Sequence, residues 1–313
     1  MSNNLALVTP DTDVIVLWKK MLELSTLAGE ISPTTSATYK RGLDHFTKWN
    51  QVHQADAVNG DTIREWIAGL REGGAKPSSI NTWYAGVRRF YAWALEKELV
   101  AVNPAAAVKG VKRHGTNKRH LRDALTDTEI LRVLKQPDTT AAQGKRDLAW
   151  LSLMAYCALR TIEVNRADLA DLSTVDGFPV LRVQGKGSSE KDDFTVIASE
   201  HAQTALYDWL GIRGNKPGAL FTSLSNRNRG DRLGLSAFRH LGELYFTRAG
   251  VVDGRKTLHS LRHSAISKVA KKDILKAKQV ARHESLDTTM IYVHQGNRLD
   301  DPGEAYITYT NGA

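Results

Sequence analysis

The stretch ARHESLDTTMIYVH, residues 281–294, contains the side chains best suited to do chemistry in this sequence. His283 precedes Tyr292 by nine residues within a short amphipathic run. A tyrosine in such a run is usually a buried part of the core, but a phenol is also a nucleophile when a neighbouring group activates it. The run by itself therefore supports two interpretations of Tyr292, and the choice between them depends on the other polar residues of the chain.

Two arginines upstream are candidates for binding an anion. Arg160, in ALRTIEV, follows a long apolar segment, where an unpaired guanidinium is costly to bury, and Glu163 stands three residues later at a spacing that allows an ion pair. In LHSLRHS, His259 and Arg262 lie one helical turn apart on one face, while His263 points away. A guanidinium beside an imidazole suits a phosphate group. A structural ion pair and structural histidines are the alternatives.

A lysine provides a third candidate group. The β-rich segments FPVLRV and FTVIA flank a polar, glycine-containing stretch, which predicts a β-hairpin with Lys186 at its tip in QGKGS. The glycines beside Lys186 allow the backbone to approach a ligand closely. Lys191, five residues later, is a competing candidate, and an exposed hairpin lysine is most often simply solvated.

Hydrophobic periodicity predicts the elements that position these groups. Four helices are expected first: 14–27, a stretch after Pro33, 62–72 with Asp61 as N-cap, and a stretch from Pro77 that stops before Asn103. In the second part, Thr126 and Glu129 have capping-box spacing. A long apolar helix ending near Arg160 follows, then the hairpin, with further helices at 161–166, 199–213, 235–249, 258–270, 273–281 and 286–293. The sequence therefore predicts a mainly α protein with a small β-sheet (α+β).

A basic stretch separates the two parts of the chain. Residues 109–123, KGVKRHGTNKRHLRD, lack apolar periodicity and contain glycines, which predicts a linker. This linker is either a solvated hinge or a strap on a phosphate backbone. Arg88 and Arg89 lie off the apolar stripe of the fourth helix. The predicted DNA-binding residues are these two together with Lys109, Lys112, Arg113, Lys118, Arg119 and Arg122.

Composition narrows the class of protein. The 313 residues carry a net charge of +9, which favours a polyanionic partner and nucleic acid above all. The single cysteine excludes an internal disulfide framework and a cysteine-rich zinc site. A phosphate-binding GxxxxGK[ST] loop and a carboxylate cluster for two metals are not found, so we expect neither a cofactor nor a metal. With no signal-like N-terminus and no membrane-length apolar run, a cytoplasmic protein is expected.

The candidate motifs, taken in order, resemble the tyrosine recombinase (phage integrase) family. The matching text is ALRTIEV, QGKG, LHSLRHS and HESLDTTMIYVH, and one departure is visible, because Arg282 stands where the family usually has glycine. The resemblance implies a two-domain clamp. It would comprise a flexible N-terminus at 1–12, a helical SAM-like core-binding domain at 13–108, the basic linker at 109–123, a catalytic domain at 124–298, and a C-terminal tail at 299–313 that is exchanged between protomers.

The resemblance also implies the roles of six positions. Arg160 and Arg262 would bind the non-bridging oxygens of a DNA phosphate, with Glu163 supporting Arg160. Tyr292 would attack phosphorus, leaving a 3′-phosphotyrosyl link and a 5′-hydroxyl, without metal or ATP. His259 would be the base, Lys186 the general acid, and His283 a hydrogen-bond partner of the phosphate. Tyr306 and Tyr309 are rival nucleophiles, but neither has a histidine nine residues earlier.

The expected function is site-specific DNA recombination in integration, excision or resolution. The expected partners are a specific double-stranded DNA site, a homo-tetramer on paired sites, and accessory DNA-bending proteins, with no membrane. The expected location is the cytoplasm, in association with the nucleoid. Two alternatives stay open from the sequence: a non-catalytic DNA-binding protein of the same fold, and relaxation of DNA like that of a type IB topoisomerase.

Overall fold

The computed structural model describes residues 12–53, 57–112, 124–184 and 190–290 of the chain. The chain divides into two compact units, Met1–Thr116 and Asn117–Ala313. The described residues form mainly helices together with a three-stranded sheet, which confirms the predicted fold class. Within these ranges, no helix combines the length and the apolar character needed to cross a bilayer.

The first unit consists of four helices: α1 (Thr12–Leu27), α2 (Pro33–His53), α3 (Gly60–Glu72) and α4 (Pro77–Glu96). Helices α2 and α4 cross at very short range because glycines lie at the crossing. A Cβ on Gly42 would lie 2.2 Å from the carbonyl oxygen of Trp83, and a Cβ on Gly86 would lie 2.3 Å from that of Tyr39. Aromatic and aliphatic side chains fill the core around this crossing, among them Trp18, Phe46, Trp66, Tyr91 and Phe90.

One predicted detail of the first unit is wrong, and another is confirmed. The N-cap of α3 is Asn59 rather than Asp61, since the side-chain oxygen Oδ1 of Asn59 accepts hydrogen bonds from the backbone N–H groups of Asp61 and Thr62. Helix α4 stops before Asn103, as predicted: it ends at Glu96, and Glu98 then adopts a left-handed conformation (φ 55°) that turns the chain. The carbonyl groups of the last turn are satisfied by this turn, as in a Schellman motif.

The first residues of the predicted linker lie against α4. The Asn81 side chain bonds both backbone groups of Val111, donating to its oxygen at 3.0 Å and accepting from its nitrogen at 2.8 Å. Gly110 is required for this approach, because a Cβ there would lie 2.6 Å from Asn81 Oδ1. Lys109 and Lys112 are exposed on this ordered segment, and residues 113–123 lie outside the described ranges.

The second unit contains further helices and the sheet. Strands β1 (Leu172–Val175), β2 (Phe178–Val183) and β3 (Asp193–Val196) pair antiparallel in the order β1-β2-β3. The predicted hairpin is β2–β3, whereas β1 was not predicted because three of its four residues are exposed and give no apolar alternation. The helices are α5 (Asp127–Leu134), α6 (Ala142–Tyr156), α7 (Thr161–Arg166), α8 (Glu200–Arg213), α9 (Leu235–Arg248), α10 (Leu258–Ala270), α11 (Ile274–Ala281) and α12 (Leu286–Met290).

Helix α6 forms the centre of the second unit, and most of its residues are buried. It ends at Tyr156 rather than near Arg160, because Ala158 adopts a left-handed conformation (φ 52°). Arg160 consequently precedes α7 instead of ending α6. Small apolar residues of α10 and α11, including Ile266, Ala277 and Ala281, pack around Ala158. This packing brings the beginning of α7, the middle of α10 and the end of α11 to one place.

Candidate active site

Arg160 and Glu163 form a compact pair at the start of α7. The Arg160 backbone N–H donates to Glu163 Oε2 at 2.7 Å, and Arg160 Nη1 donates to Oε1 at 2.6 Å. Glu163 is buried, while 23 % of the Arg160 side chain is exposed. The predicted pair is therefore present, and its guanidinium has a face that a ligand can reach.

Arg262 lies on α10 with 1 % of its surface exposed. Its guanidinium donates to the carbonyl oxygens of Ala158 and Ala281, at the turns that follow α6 and end α11. Arg262 Nη1 lies 3.9 Å from Glu163 Oε2, and Nη2 lies 3.4 Å from His283 Nε2. Packing against two helix ends therefore fixes the orientation of this guanidinium.

His283 is positioned by the turn that ends α11. Its backbone N–H donates to the Lys278 carbonyl at 3.2 Å, and its Nδ1 lies 3.0 Å from the hydroxyl of the buried Thr289. Burial and the positive charges of Arg262, Arg160 and Arg282 lower the pKa of His283 to about 4. The imidazole is therefore neutral at pH 7.

Arg282, where the family pattern has glycine, adopts the left-handed conformation that glycine favours (φ 51°, ψ 52°). Its side chain is only 3 % exposed. Nη2 donates to Glu163 Oε2 at 2.9 Å, and Nη1 donates to the Val280 carbonyl at 3.0 Å. The substitution thus preserves the backbone turn before His283 and adds a third guanidinium to the site.

The site has a positive excess. Burial raises the pKa of the Glu163 carboxyl, but Arg282, Arg262 and Arg160 outweigh burial and hold the pKa below its ordinary value. Three guanidinium groups and one carboxylate leave a charge of 3 − 1 = +2. Such an excess in a largely buried place favours binding of an anion such as a phosphodiester.

His259 lies one turn before Arg262 on α10, as predicted. It lines a cavity of about 470 Å³ together with Thr161, the first residue of α7, and Lys256. His263 is buried, and its Nδ1 lies 3.2 Å from the hydroxyl of Ser267, which agrees with the predicted separation from the other two residues.

Lys191 is held in an ion-pair cluster beside the sheet. Its ammonium group donates to Asp168 Oδ2 at 2.9 Å, to Asp171 Oδ2, and to the Arg166 carbonyl at 3.0 Å. These contacts give Lys191 a structural role. Within the described ranges, no group of three or more His, Cys, Asp or Glu residues is arranged to hold a metal ion.

Several predicted residues lie outside the described ranges. They are Lys186, Tyr292, the rival tyrosines Tyr306 and Tyr309, and the linker residues Arg113, Lys118, Arg119 and Arg122. Arg88 and Arg89 are exposed on α4, and the Arg88 guanidinium lies 5.9 Å from the centre of the Tyr84 ring. Two residues of the site were not predicted to take part in it, Thr289 and Arg282. A non-glycine residue at the end of α11 was the signal available for Arg282.

Known proteins resemble this chain over most of its length. Residues 123–298 match the phage integrase family, and residues 15–98 match its N-terminal SAM-like domain. Tyrosine recombinase XerC of Haemophilus ducreyi is 30% identical over 273 residues, covering 85% of each chain. Tyrosine recombinase XerD of Pseudomonas putida is 28% identical over 284 residues, covering 88% of this chain and 91% of XerD.

Solved structures show the same fold. XerH site-specific recombinase, in a post-cleavage complex with a palindromic difH substrate, superposes with a TM-score of 0.69 at 17% identity, covering 97% of this chain and 89% of that one. A lambda integrase (75–356) dimer bound to a COC′ core site superposes with a TM-score of 0.64 at 16% identity, covering 88% of this chain and 95% of that one. The chain therefore belongs to the phage integrase family and is a tyrosine site-specific recombinase. This confirms the family predicted from the motifs.

Proposed function

We propose that this recombinase cuts and rejoins double-stranded DNA at specific sites with Tyr292 as its nucleophile. The phenol oxygen attacks the phosphorus of a phosphodiester, the bond from phosphorus to the 5′ oxygen breaks, and that oxygen leaves with a proton as a 5′-hydroxyl. The product is a 3′-phosphotyrosyl ester, which a second 5′-hydroxyl reverses without ATP. The observation that carries this proposal is the buried cluster of Arg160, Arg262 and His283 around Glu163.

The two arginines have complementary roles in this proposal. The partly exposed guanidinium of Arg160 contacts a non-bridging oxygen of the phosphate. Arg262 contributes positive charge at the second oxygen, and its guanidinium has a fixed orientation, since two helix-end carbonyl groups already hold it in place. Donors that are oriented before the reaction need little reorganisation as charge develops in the pentacoordinate transition state.

The proton transfers are assigned to the remaining groups. His259, one turn from Arg262, takes the phenolic proton as general base, and Lys186 protonates the leaving 5′ oxygen as general acid. The ion pairs of Lys191 with Asp168 and Asp171 support the choice of Lys186, because they already commit the competing lysine. His283, neutral at pH 7, donates a hydrogen bond to the phosphate.

The organisation of the chain is proposed to follow the family. Residues 13–108 bind DNA as the core-binding domain, 109–123 form the basic linker, 124–298 form the catalytic domain, and the tail at 299–313 is exchanged between protomers. The matches at 15–98 and 123–298 support these boundaries. A lambda integrase tetramer bound to a Holliday junction supports a homo-tetramer that clamps paired DNA sites. Accessory DNA-bending proteins and association with the nucleoid in the cytoplasm belong to the same proposal.

A covalent trapping assay tests the proposal. The full chain is first used to select binding duplexes from a DNA library, and selected duplexes are then nicked near the cleavage position so that the released strand diffuses away. We expect a denaturant-resistant protein–DNA adduct from the wild type and from Tyr309→Phe, the matched control, but none from Tyr292→Phe. An adduct that persists in Tyr292→Phe would disprove the assignment, and no wild-type adduct on any selected duplex would disprove the proposed function.

A further inference from the structure

Position 282 combines a backbone suited to glycine with a buried arginine side chain. Arg282 N–H donates to the Gln279 carbonyl at 2.9 Å, and His283 N–H donates to that of Lys278 at 3.2 Å, so the left-handed residue closes a Schellman motif at the end of α11. This motif needs only the backbone, and a side chain at its left-handed position is disfavoured. The arginine side chain therefore requires a separate explanation.

The Arg282 side chain extends from the end of α11 to Glu163 on α7. Its Nη2 group donates to Glu163 Oε2 at 2.9 Å and lies 3.4 Å from the Ala158 carbonyl oxygen, while Nη1 is held by the Val280 carbonyl. Glu163 belongs to α7 and also binds Arg160, and His283 follows Arg282 directly. A single buried side chain thus joins the turn that carries the histidine to the helix that carries the first arginine.

Arg160 and Arg282 share the carboxylate of Glu163. Its Oε1 accepts from Arg160 Nη1, and its Oε2 accepts from both the Arg160 backbone N–H and Arg282 Nη2. Arg262 stands further from the same carboxylate, at 3.9 Å, and is instead held by carbonyl groups. Arg282 therefore makes a direct ion pair between the end of α11 and α7.

We propose that Arg282 is a positioning residue of the site, which holds His283 in register with Arg160 by binding Glu163. The inference rests on the proposed function, because His283 and Arg160 are the groups that contact the phosphate there. Arg282 also sets the charge of the site. With glycine at this position, two guanidinium groups and one carboxylate would leave 2 − 1 = +1 in place of +2. The attraction for a phosphodiester would be correspondingly weaker.

Substitution with glycine separates this role from that of a simple cap. Arg282→Gly keeps the left-handed turn and relieves the backbone, so the full chain remains folded, but it loses the contact with Glu163. We expect adduct formation on the nicked duplex to slow by about ten- to a hundredfold in single-turnover measurements, since small misplacements of a reacting group have effects of that size. Arg282→Lys restores a positive charge without the two-pronged contact and should recover part of the rate.

A second measurement follows the site without DNA. The charged groups that face the His283 imidazole among the described residues include Arg160, Arg262, Arg282 and Glu163, on α7, α10 and the end of α11. In an NMR titration of the free chain, the His283 signal, identified by its loss in His283→Asn, should show a higher pKa in Arg282→Gly and a return toward the wild-type value in Arg282→Lys. A residue that only caps α11 with its backbone, and whose guanidinium lies away from Glu163 and His283, would leave this pKa unchanged.

The outcomes distinguish failure of the inference on Arg282 from failure of the proposed function. Wild-type cleavage rates in Arg282→Gly would overturn the inference while leaving the proposed function intact. If the wild type forms no adduct, the proposed function fails, and the titration alone then decides the inference, which an unchanged His283 pKa in Arg282→Gly would overturn.

Discussion

Replacing Glu163 with glutamine tests how strongly the charges of the site depend on one another. The carboxylate accepts from Arg160 Nη1 at 2.6 Å, from the Arg160 backbone N–H at 2.7 Å and from Arg282 at 2.9 Å. A glutamine side chain has one acceptor oxygen, so its NH₂ group must face a donor that the carboxylate satisfied. The charge of the cluster rises from +2 to 3 − 0 = +3.

Two estimates give the loss in free energy of unfolding that Glu163→Gln causes. Removing one partner of a buried ion pair costs about 3–5 kcal/mol, because the remaining charge stays buried without compensation. Counted by bonds, one lost hydrogen bond to a charged group costs about 1.5–3 kcal/mol, and the weakening of the other two adds to it. We therefore expect Glu163→Gln to lower the free energy of unfolding of the second unit by about 3–5 kcal/mol.

Hydrogen exchange in increasing urea measures this loss unit by unit. Peptides from α6 and α10 report on the second unit, and peptides from α2 and α4 provide an internal reference that should not change. Glu200→Gln is the matched control, because Glu200 is an exposed carboxylate in the first turn of α8, and its effect should stay within about 0.5 kcal/mol. A loss below about 1 kcal/mol in Glu163→Gln would refute the reasoning that the three arginines depend on this carboxylate.

Three further predictions address packing, protonation and DNA affinity. Gly42→Ala places a Cβ 2.2 Å from a backbone oxygen of α4 and should destabilise the first unit by about 1–3 kcal/mol. Gly211→Ala, whose Cβ would have nothing within 4 Å, should stabilise the second unit by roughly 0.5–1 kcal/mol. Urea unfolding measures both changes in the free energy of unfolding. Because folding lowers the pKa of His283 from 6.5 to about 4, the contribution of this residue to stability is complete above pH 6.5 and is lost as the pH falls toward 4. In His283→Asn, the urea concentration at the unfolding midpoint should therefore vary less with pH across that range. Changing Lys109 and Lys112 to glutamine should reduce the slope of log affinity against log salt by about 0.9 for each phosphate contact removed, as measured by titration of a selected duplex.

The starts of helices were easier to predict than their ends. Thr126 and Glu129 form the capping box that their spacing predicted, and α4 begins at Pro77 as expected. The end of α6 was placed too late, and that of α4 was bounded only by Asn103, because Ala158 and Glu98 are left-handed residues that are not glycine. A sequence signals such a turn mainly through glycine, so a turn imposed by tertiary packing on another residue gives no local warning.

In the site, too, the sequence predicts local contacts but not those that depend on tertiary packing. The Arg160–Glu163 pair was predictable from a spacing of three residues, because its geometry is local. The proximity of Arg262 to His283 was expected only from the family resemblance, since it depends on how α10 packs against the end of α11. The contact of Arg282 with Glu163 joins residues 119 positions apart, and neither periodicity nor the family pattern predicts it.

The carbonyl groups around the arginines explain how a buried site keeps a positive excess. Ala281 and Val280 belong to the last turn of α11, and Ala158 lies just beyond the end of α6. Their carbonyl oxygens accept from Arg262 and Arg282, and carbonyl groups at a helix C-terminus carry partial negative charge. A second carboxylate in their place would satisfy the same donors but cancel a full unit of charge. Carbonyl dipoles instead solvate the guanidinium groups and leave their net charge available to the phosphate, so helix ends stabilise the cations and the substrate supplies the remaining anion.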